Sequence, residues 1–240
     1  MAAGVALTIS IHPVPGLPEI RPGDDLAGLL AHALSQAGLG PEPGDVLVVT
    51  HKAVSKAEGA VVPLEGEEEA AYRRLVEDQA VEILRRRGSL VIAKTRHGFI
   101  CANAGVDRSN TAPGTAVLLP AEPDRSAHSL RLALRRLTGV DLPVVITDTF
   151  GRAWRKGLVD VAIGVSGLEV ILDLRGTHDA QGRELKVTEV AVVDEIAAAA
   201  DLAMGKAAGV PAALVRGLAV ARGEGRAVDL IRPPGEDMFR

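Results

Sequence analysis

The chain has 240 residues, a formal net charge of −4, and 47% hydrophobic but only 2% aromatic residues. That length fits one large domain or two small ones and buries a core without staples, while the acidic balance excludes a nucleic-acid binder driven by phosphate neutralisation. A lone cysteine, Cys101, excludes an intrachain disulfide framework and a cysteine-rich zinc site, which suits a reducing cytoplasm.

The first stretch, MAAGVALTISIHP, lacks the basic start of a secretory signal, and no apolar run is long enough for a membrane span. Alternating β-branched residues predict a strand over Val5–Ile11. The following HPVPGLPEIRPGDD reads as a stiff loop, because each proline fixes its own φ and restricts the residue before it. Asp24 or Asp25 can cap a helix running to about Leu34. DVLVVT, Asp45–Thr50, reads as a buried strand.

Residues Glu67 to Arg87 are expected to be helical, with acids at the start, arginines at the end and Gly88 as the stop. Strands follow at Ser89–Lys94 and Thr115–Pro120. Asp124 opens a helix with Ala127, Leu130, Leu134 and Leu137 on one face and Gly139 after it. Pro143–Phe150, Val161–Gly167 and Pro211–Gly217 are further strands, the last preceded by an alanine-rich helix. Helices and strands mix irregularly and do not give the even βαβ alternation of a doubly wound sheet. No GxGxxG follows a strand and no GxxxxGK[ST] occurs, which excludes the familiar Rossmann and P-loop modes.

Four polar clusters are candidates for chemistry. His51-Lys52-Ala53-Val54-Ser55-Lys56 follows a strand, and its lysines suit phosphate oxygens as well as they suit a solvated loop. GFICANAGVDRSN, from Gly98 to Asn110, ends in Asp107, Ser109 and Asn110, which suit Mg²⁺, Mn²⁺ or phosphate and equally an ordinary turn. Cys101 within it reads as a small buried filler, with no activating partner at a useful spacing. TDTFGRAWRKG puts Asp148 and Thr149 at a strand end beside Arg152, Arg155 and Lys156, a mixture suited to a metal-bound polyphosphate. Trp154 there could stack on a ligand, though core packing is its commoner use. MGKAAGVP, Met204–Pro211, has glycines that admit a close ligand or simply cap a helix. Two carboxylates, several bases and no activated serine or cysteine form the inventory of metal-assisted phosphoryl transfer. The residues alone name no substrate.

Six segments in order resemble the coenzyme F-420-0:L-glutamate ligases, the GTP-dependent γ-glutamyl ligase family. They are GLPEIRPGDDL, DVLVVTHKAVSKAEG, RHGFICANAGVDRSN, TDTFGRAWRKGLVDVAIGVSGL, GRELKVTEVAVVDEIAAAADLAMGKAAGVPAALVRG and LIRPPGEDMFR. The resemblance implies a family-specific α+β fold with mixed sheets and an intertwined homodimer in the cytoplasm, with no nucleic-acid or membrane partner. It implies one unit over residues 1–240, with two subdomains as a variant and no C-terminal flavin-binding domain. It implies GTP-driven activation of the carboxylate of F-420-0 as an acyl phosphate, attack by L-glutamate, and further γ-linked additions. Asp107 and Asp148 match metal-binding and catalytic aspartates, and Thr149 an added ligand for Mg²⁺ or Mn²⁺, with K⁺ as a further cation. Gly16, Leu17, Pro18, Glu19, His51, Lys52, Lys56 and Asn110 match GTP-contacting positions. Met204, Gly205, Lys206, Ala207, Ala208, Gly209, Val210 and Pro211 match a nucleotide loop.

Three departures accompany the resemblance. Lys206 stands where some members carry a ligating glutamine; an ammonium cannot ligate a cation, so Lys206 is expected at a phosphate. His51 stands where a small hydroxyl residue is common, and the segment after Ala60 is short. The alternatives weighed against the ligase are a metal-dependent phosphohydrolase, which the aspartate pair alone would allow, and a non-catalytic nucleotide- or deazaflavin-binding protein.

Overall fold

A computed structural model describes residues 8–239. Its strands, in chain order, begin with β1 (Ser10–Pro13), β2 (Val46–Thr50), β3 (Val61–Pro63), β4 (Ala80–Arg87), β5 (Leu90–Thr95) and β6 (Ile100–Ala102). They continue with β7 (Thr115–Val117), β8 (Val144–Arg152), β9 (Arg155–Ser166), β10 (Leu172–Asp173), β11 (Glu189–Val190) and β12 (Ala212–Arg216). The helices are α1 (Leu26–Gln36), α2 (His51–Ala57), α3 (Glu68–Gln79), α4 (Pro123–Thr138) and α5 (Val192–Met204). The architecture is mixed α and β with several sheets, as expected. No helix among the described residues is long and apolar enough to cross a membrane.

The main sheet has five strands in the order β1-β12-β2-β8-β9. Only β2 and β8 run parallel; the other neighbours are antiparallel. Strand periodicity divides the core. Leu47 and Val49 of β2 face one side, where they pack with Leu30 and Leu34 of α1 and Leu130 and Leu134 of α4. Val46 and Val48 face the other side, with Ile196, Ala197 and Ala200 of α5. This explains why β2 and β8 read as unbroken apolar runs: a strand covered on both faces cannot alternate. Asp25 caps α1 by accepting from the Gly28 N–H at 3.0 Å.

A third core lies under α3 and the sheet β4-β5-β6, built from Tyr72, Val76, Val91, Ala93 and Val106. Here one expectation fails. The helix from Glu67 stops at Gln79, and Ala80–Arg87 is a strand paired antiparallel to β5. Val81 and Ile83 are β-branched and suit a strand, and Gly88 at φ 61 opens the two-residue turn into β5. The arginines that resemble a helix end are strand residues, and Arg86 ties back to Glu77 at 2.7 Å. Leu137, expected on the buried face of α4, is 56% exposed, so that face ends at Leu134. The first predicted strand is observed only from Ser10, and its opening residues Val5 to Leu7 lie outside the described residues.

Candidate active site

Four strands deliver their ends to one edge of the main sheet. Because β2 and β8 are parallel, Thr50 and Thr147 pair at the same edge. Chain direction brings the segment after β1 and the segment before β12 there too. Here a cavity of about 590 Å³ opens. Its lining includes Leu17, Pro18 and Glu19 after β1, His51, Lys52 and Lys56 on α2, and Asp148 and Thr149 on β8. Met204 at the end of α5 and Gly205, Lys206, Gly209, Val210 and Pro211 in the loop before β12 line it, as do Asp107 and Asn110 from the segment between β6 and β7. Of the positions singled out in the sequence, Gly16, Ala207 and Ala208 do not line it.

The approach to Asp107 is shaped by backbone strain. Asn103, Ala104 and Gly105 all have positive φ, at 50°, 51° and 73°. A Cβ at Gly105 would lie 2.6 Å from Leu119 Cγ, so only glycine fits. The Asn103 carboxamide oxygen accepts from the Val91 N–H at 3.0 Å, and the Tyr72 hydroxyl donates to the Val106 carbonyl at 3.0 Å. Asp107 then exchanges two backbone hydrogen bonds with Val117, at 3.0 and 2.8 Å. The chain is thereby pinned on both sides of the carboxylate.

His51–Lys56 is not a solvated loop but part of α2, and His51, Ser55 and Lys56 are buried. Lys52 Nζ lies 2.7 Å from Asp107 Oδ2 and donates to Ser109 Oγ at 2.5 Å. Burial would raise the Asp107 carboxyl, but the Lys52 ammonium and the Ser109 N–H outweigh it and hold it below the ordinary range. Lys56 Nζ donates to Glu19 Oε1 at 2.5 Å and to the Asn110 carbonyl at 2.7 Å. Asn110, at φ 54, thus meets Lys56 through its backbone.

Along β8 the residues alternate. Thr147 and Thr149 face α5, and Asp148 faces α2, where His51 Nε2 lies 3.2 Å from Asp148 Oδ1. That pair is out of line for a hydrogen bond, and neither buried ring nitrogen of His51 has a hydrogen-bond partner among the described residues. On the α5 face, Thr149 Oγ1 donates to Asp160 Oδ1 at 2.6 Å and Thr147 Oγ1 to Asp160 Oδ2 at 3.0 Å. Lys206 Nζ donates to Asp160 Oδ1 at 2.7 Å, meets Asp201 Oδ1 at 3.0 Å, and also donates to Thr149 Oγ1. Burial would lower the Lys206 ammonium, yet Asp160 and Asp201 outweigh it and raise it. Lys206 is therefore held here by carboxylates.

Asp160 and Asp201 are the residues that sequence reading passed over. Each carried a signal. Asp160 is one acid inside the otherwise apolar run 158–165 of β9, and it is 2% exposed. Asp201 is an acid in the last turn of an apolar helix, the end where the helix dipole disfavours it.

The cavity holds the carboxylates of Glu19, Asp107, Asp148, Asp160 and Asp201 against the ammonium groups of Lys52, Lys56 and Lys206. Every one of these acids except Asp148 has a lysine within 4.0 Å among the described residues. Asp148, 14% exposed, has only the His51 ring. Asp148 and Asp107 are hard oxygen donors on one cavity that could each offer a ligand to a divalent cation, although Asp107 is held by Lys52 and no cluster of three or more acidic, histidine or cysteine ligands occurs among the described residues. Thr149 fits less well as a ligand, because its hydroxyl is engaged on the opposite face of β8.

Cys101 is buried and its thiol is pushed up to about 12, chiefly by desolvation and then by the charge of Asp148. It is packing, not a nucleophile. Trp154 is not core: it is 86% exposed at the turn of the β8–β9 hairpin, with φ 62, and touches Phe239 at 6.2 Å between ring centroids.

A ligase family defines the class. The family model described as F420-0:Gamma-glutamyl ligase matches residues 16–217, the chain belongs to that family, and it is an enzyme of the ligase kind. Among named relatives, the chain is 45% identical over 252 residues to the coenzyme F420:L-glutamate ligase of Methanopyrus kandleri, covering 97% of this chain and 98% of that protein. It is 43% identical over 249 residues to the protein of the same name from Methanothermobacter thermautotrophicus, covering 97% of this chain and 99% of the relative. The corresponding protein of Methanocaldococcus jannaschii is 42% identical over 239 residues, covering 93% and 94%.

Proposed function

We propose that the protein ligates L-glutamate to the deazaflavin precursor F-420-0 at the expense of GTP, then adds further glutamates through γ-linkages. Full-length similarity to three ligases of this name supports the substrates. The observation that carries the site is the cavity at the sheet edge, where lysines and carboxylates from six separate segments converge.

In the proposed reaction a carboxylate oxygen of F-420-0 attacks the γ-phosphorus of GTP, and the bond to the β-phosphate oxygen breaks, releasing GDP. The neutral amine of glutamate then attacks the acyl carbon. The bond between that carbon and the phosphate oxygen breaks, phosphate leaves, and the amine sheds a proton. Lys52 and Lys56 are suited to polyphosphate oxygens, which would exchange with the acids those lysines now hold. Asp148 and Asp107 would hold Mg²⁺ or Mn²⁺, and such a cation offsets repulsion between two anionic substrates. K⁺ is a further candidate cation. Cys101 takes no part.

A mass-spectrometric assay of the purified protein with GTP, L-glutamate, Mn²⁺ or Mg²⁺ and F-420-0 tests this reading. The expected result is a GTP-dependent ladder of glutamyl additions. GTP hydrolysis without such products would replace the ligase with a phosphohydrolase, and GTP binding without turnover would leave a binding protein.

A further inference from the structure

The α5 face of the cavity already contains a cation. Lys206 Nζ is surrounded by oxygens of Asp160 at 2.7 Å, Asp201 at 3.0 Å and Thr149. Asp160 is 2% exposed and has both carboxylate oxygens engaged, one by Thr147 and the other by Thr149 and Lys206. A buried carboxylate without a compensating charge is strongly disfavoured, and no other described lysine, arginine or histidine lies within salt-bridge distance of Asp160. Two carboxylates and a hydroxyl are also the hard oxygen set that a divalent cation prefers. On the opposite face of β8, Asp148 has no ammonium partner among the described residues.

We propose that Lys206 is a tethered cation that fills an oxygen cage otherwise open to a metal ion, so that free metal is confined to the Asp148 face. The lysine reaches the cage from the loop that begins at Gly205, whose φ of 64° turns the chain out of α5 beside Asp201. Its charge is covalently attached and singly positive. It offsets one of the cage's two negative charges at any metal concentration, and it prevents a second divalent ion from settling one strand face away from Asp148. Lys206 is thus a positioning residue for the proposed ligation, and in that role the inference rests on the reading above.

Bound Mn²⁺ per chain, counted by electron paramagnetic resonance during titration, tests the idea without any turnover. The wild type is compared with Lys206→Gln, Lys206→Met, Lys206→Arg and the double variant Lys206→Gln/Asp160→Asn. Both uncharged single variants should bind one Mn²⁺ more than the wild type, and Lys206→Arg should keep the wild-type count. The double variant should lose the extra ion. Melting of Lys206→Met in chelator should fall below wild type and recover when Mn²⁺ is added. An unchanged count in a folded Lys206→Gln or Lys206→Met would overturn the proposal. So would failure of both to fold even with Mn²⁺, since a cation cage would rescue them. A wild-type count of zero with a gain in the variants would uphold Lys206 as the filler of the cage but overturn the confinement of metal to Asp148, and with it the metal reading of that residue.

Discussion

Asp148 and Asp107 share a cavity but differ in what holds them. Asp107 is backed by Lys52 and by the Ser109 N–H, whereas Asp148 has a fixed N–H from Thr149 at 2.7 Å and an imidazole out of line. Asp148→Asn removes the one cavity carboxylate that has no lysine among the described residues, and keeps the shape. Turnover should fall roughly 10- to 100-fold or more, the order expected for a lost charge-assisted contact, with an unchanged circular dichroism spectrum. Undiminished turnover would refute the assigned role. For Asp107 the sign is fixed by its lowered pKa. Its contribution to stability is present above the ordinary aspartate value and is lost as pH falls through the depressed one, a window below about 4. Lys52→Met should flatten the fall of the urea midpoint in that window and raise the Asp107 titration seen by carboxyl NMR. Cys101→Ala should leave turnover within about twofold and cost about 1 kcal/mol in urea unfolding, the typical loss for a small buried truncation.

At the scale of elements, the strained turn before Asp107 is the sharpest test of how fold serves site. Gly105→Ala combines a positive φ with a contact to Leu119 that no Cβ tolerates. It should cost about 1–3 kcal/mol, read by urea unfolding, and lower metal-dependent turnover by displacing Asp107. Leu134→Ala, at a fully buried position of α4, should cost about 2–5 kcal/mol without such a selective effect. What the sequence disclosed follows the same division. β2, β8, β12, α1 and α4 were legible because continuous apolar runs and caps are local signals. The strand Ala80–Arg87 was not, because charge order along a segment mimics a helix dipole while the pairing with β5 is non-local. Asp107, Asp148 and the lysines were legible as polar residues beside strands. Asp160 and Asp201 were not singled out, because their meaning depends on Lys206 arriving from another segment.

For the whole molecule, the β8–β9 hairpin is a projecting arm. Trp154 and Leu158 on it are 86% and 70% exposed, and Met238 and Phe239 of the C-terminal segment are 90% and 59% exposed. In a chain with one tryptophan and three phenylalanines, leaving Trp154 and Phe239 on the surface fits the homodimer that the family resemblance implies. Sedimentation should give the mass of two chains, and Trp154→Ser with Leu158→Ser should shift it toward one. A monomer at micromolar concentration in the wild type would contradict that assembly.

In the proposed reaction a carboxylate is activated as an acyl phosphate in the sheet-edge cavity. The most direct measurement uses F-420-0 labelled with ¹⁸O in its terminal carboxylate, together with GTP and L-glutamate, and weighs the released phosphate. One labelled oxygen should be carried into phosphate for each first glutamyl addition, while later additions activate the unlabelled γ-carboxylate of the preceding glutamate. A first addition with unlabelled phosphate, or with the label in the nucleotide, would contradict an acyl phosphate.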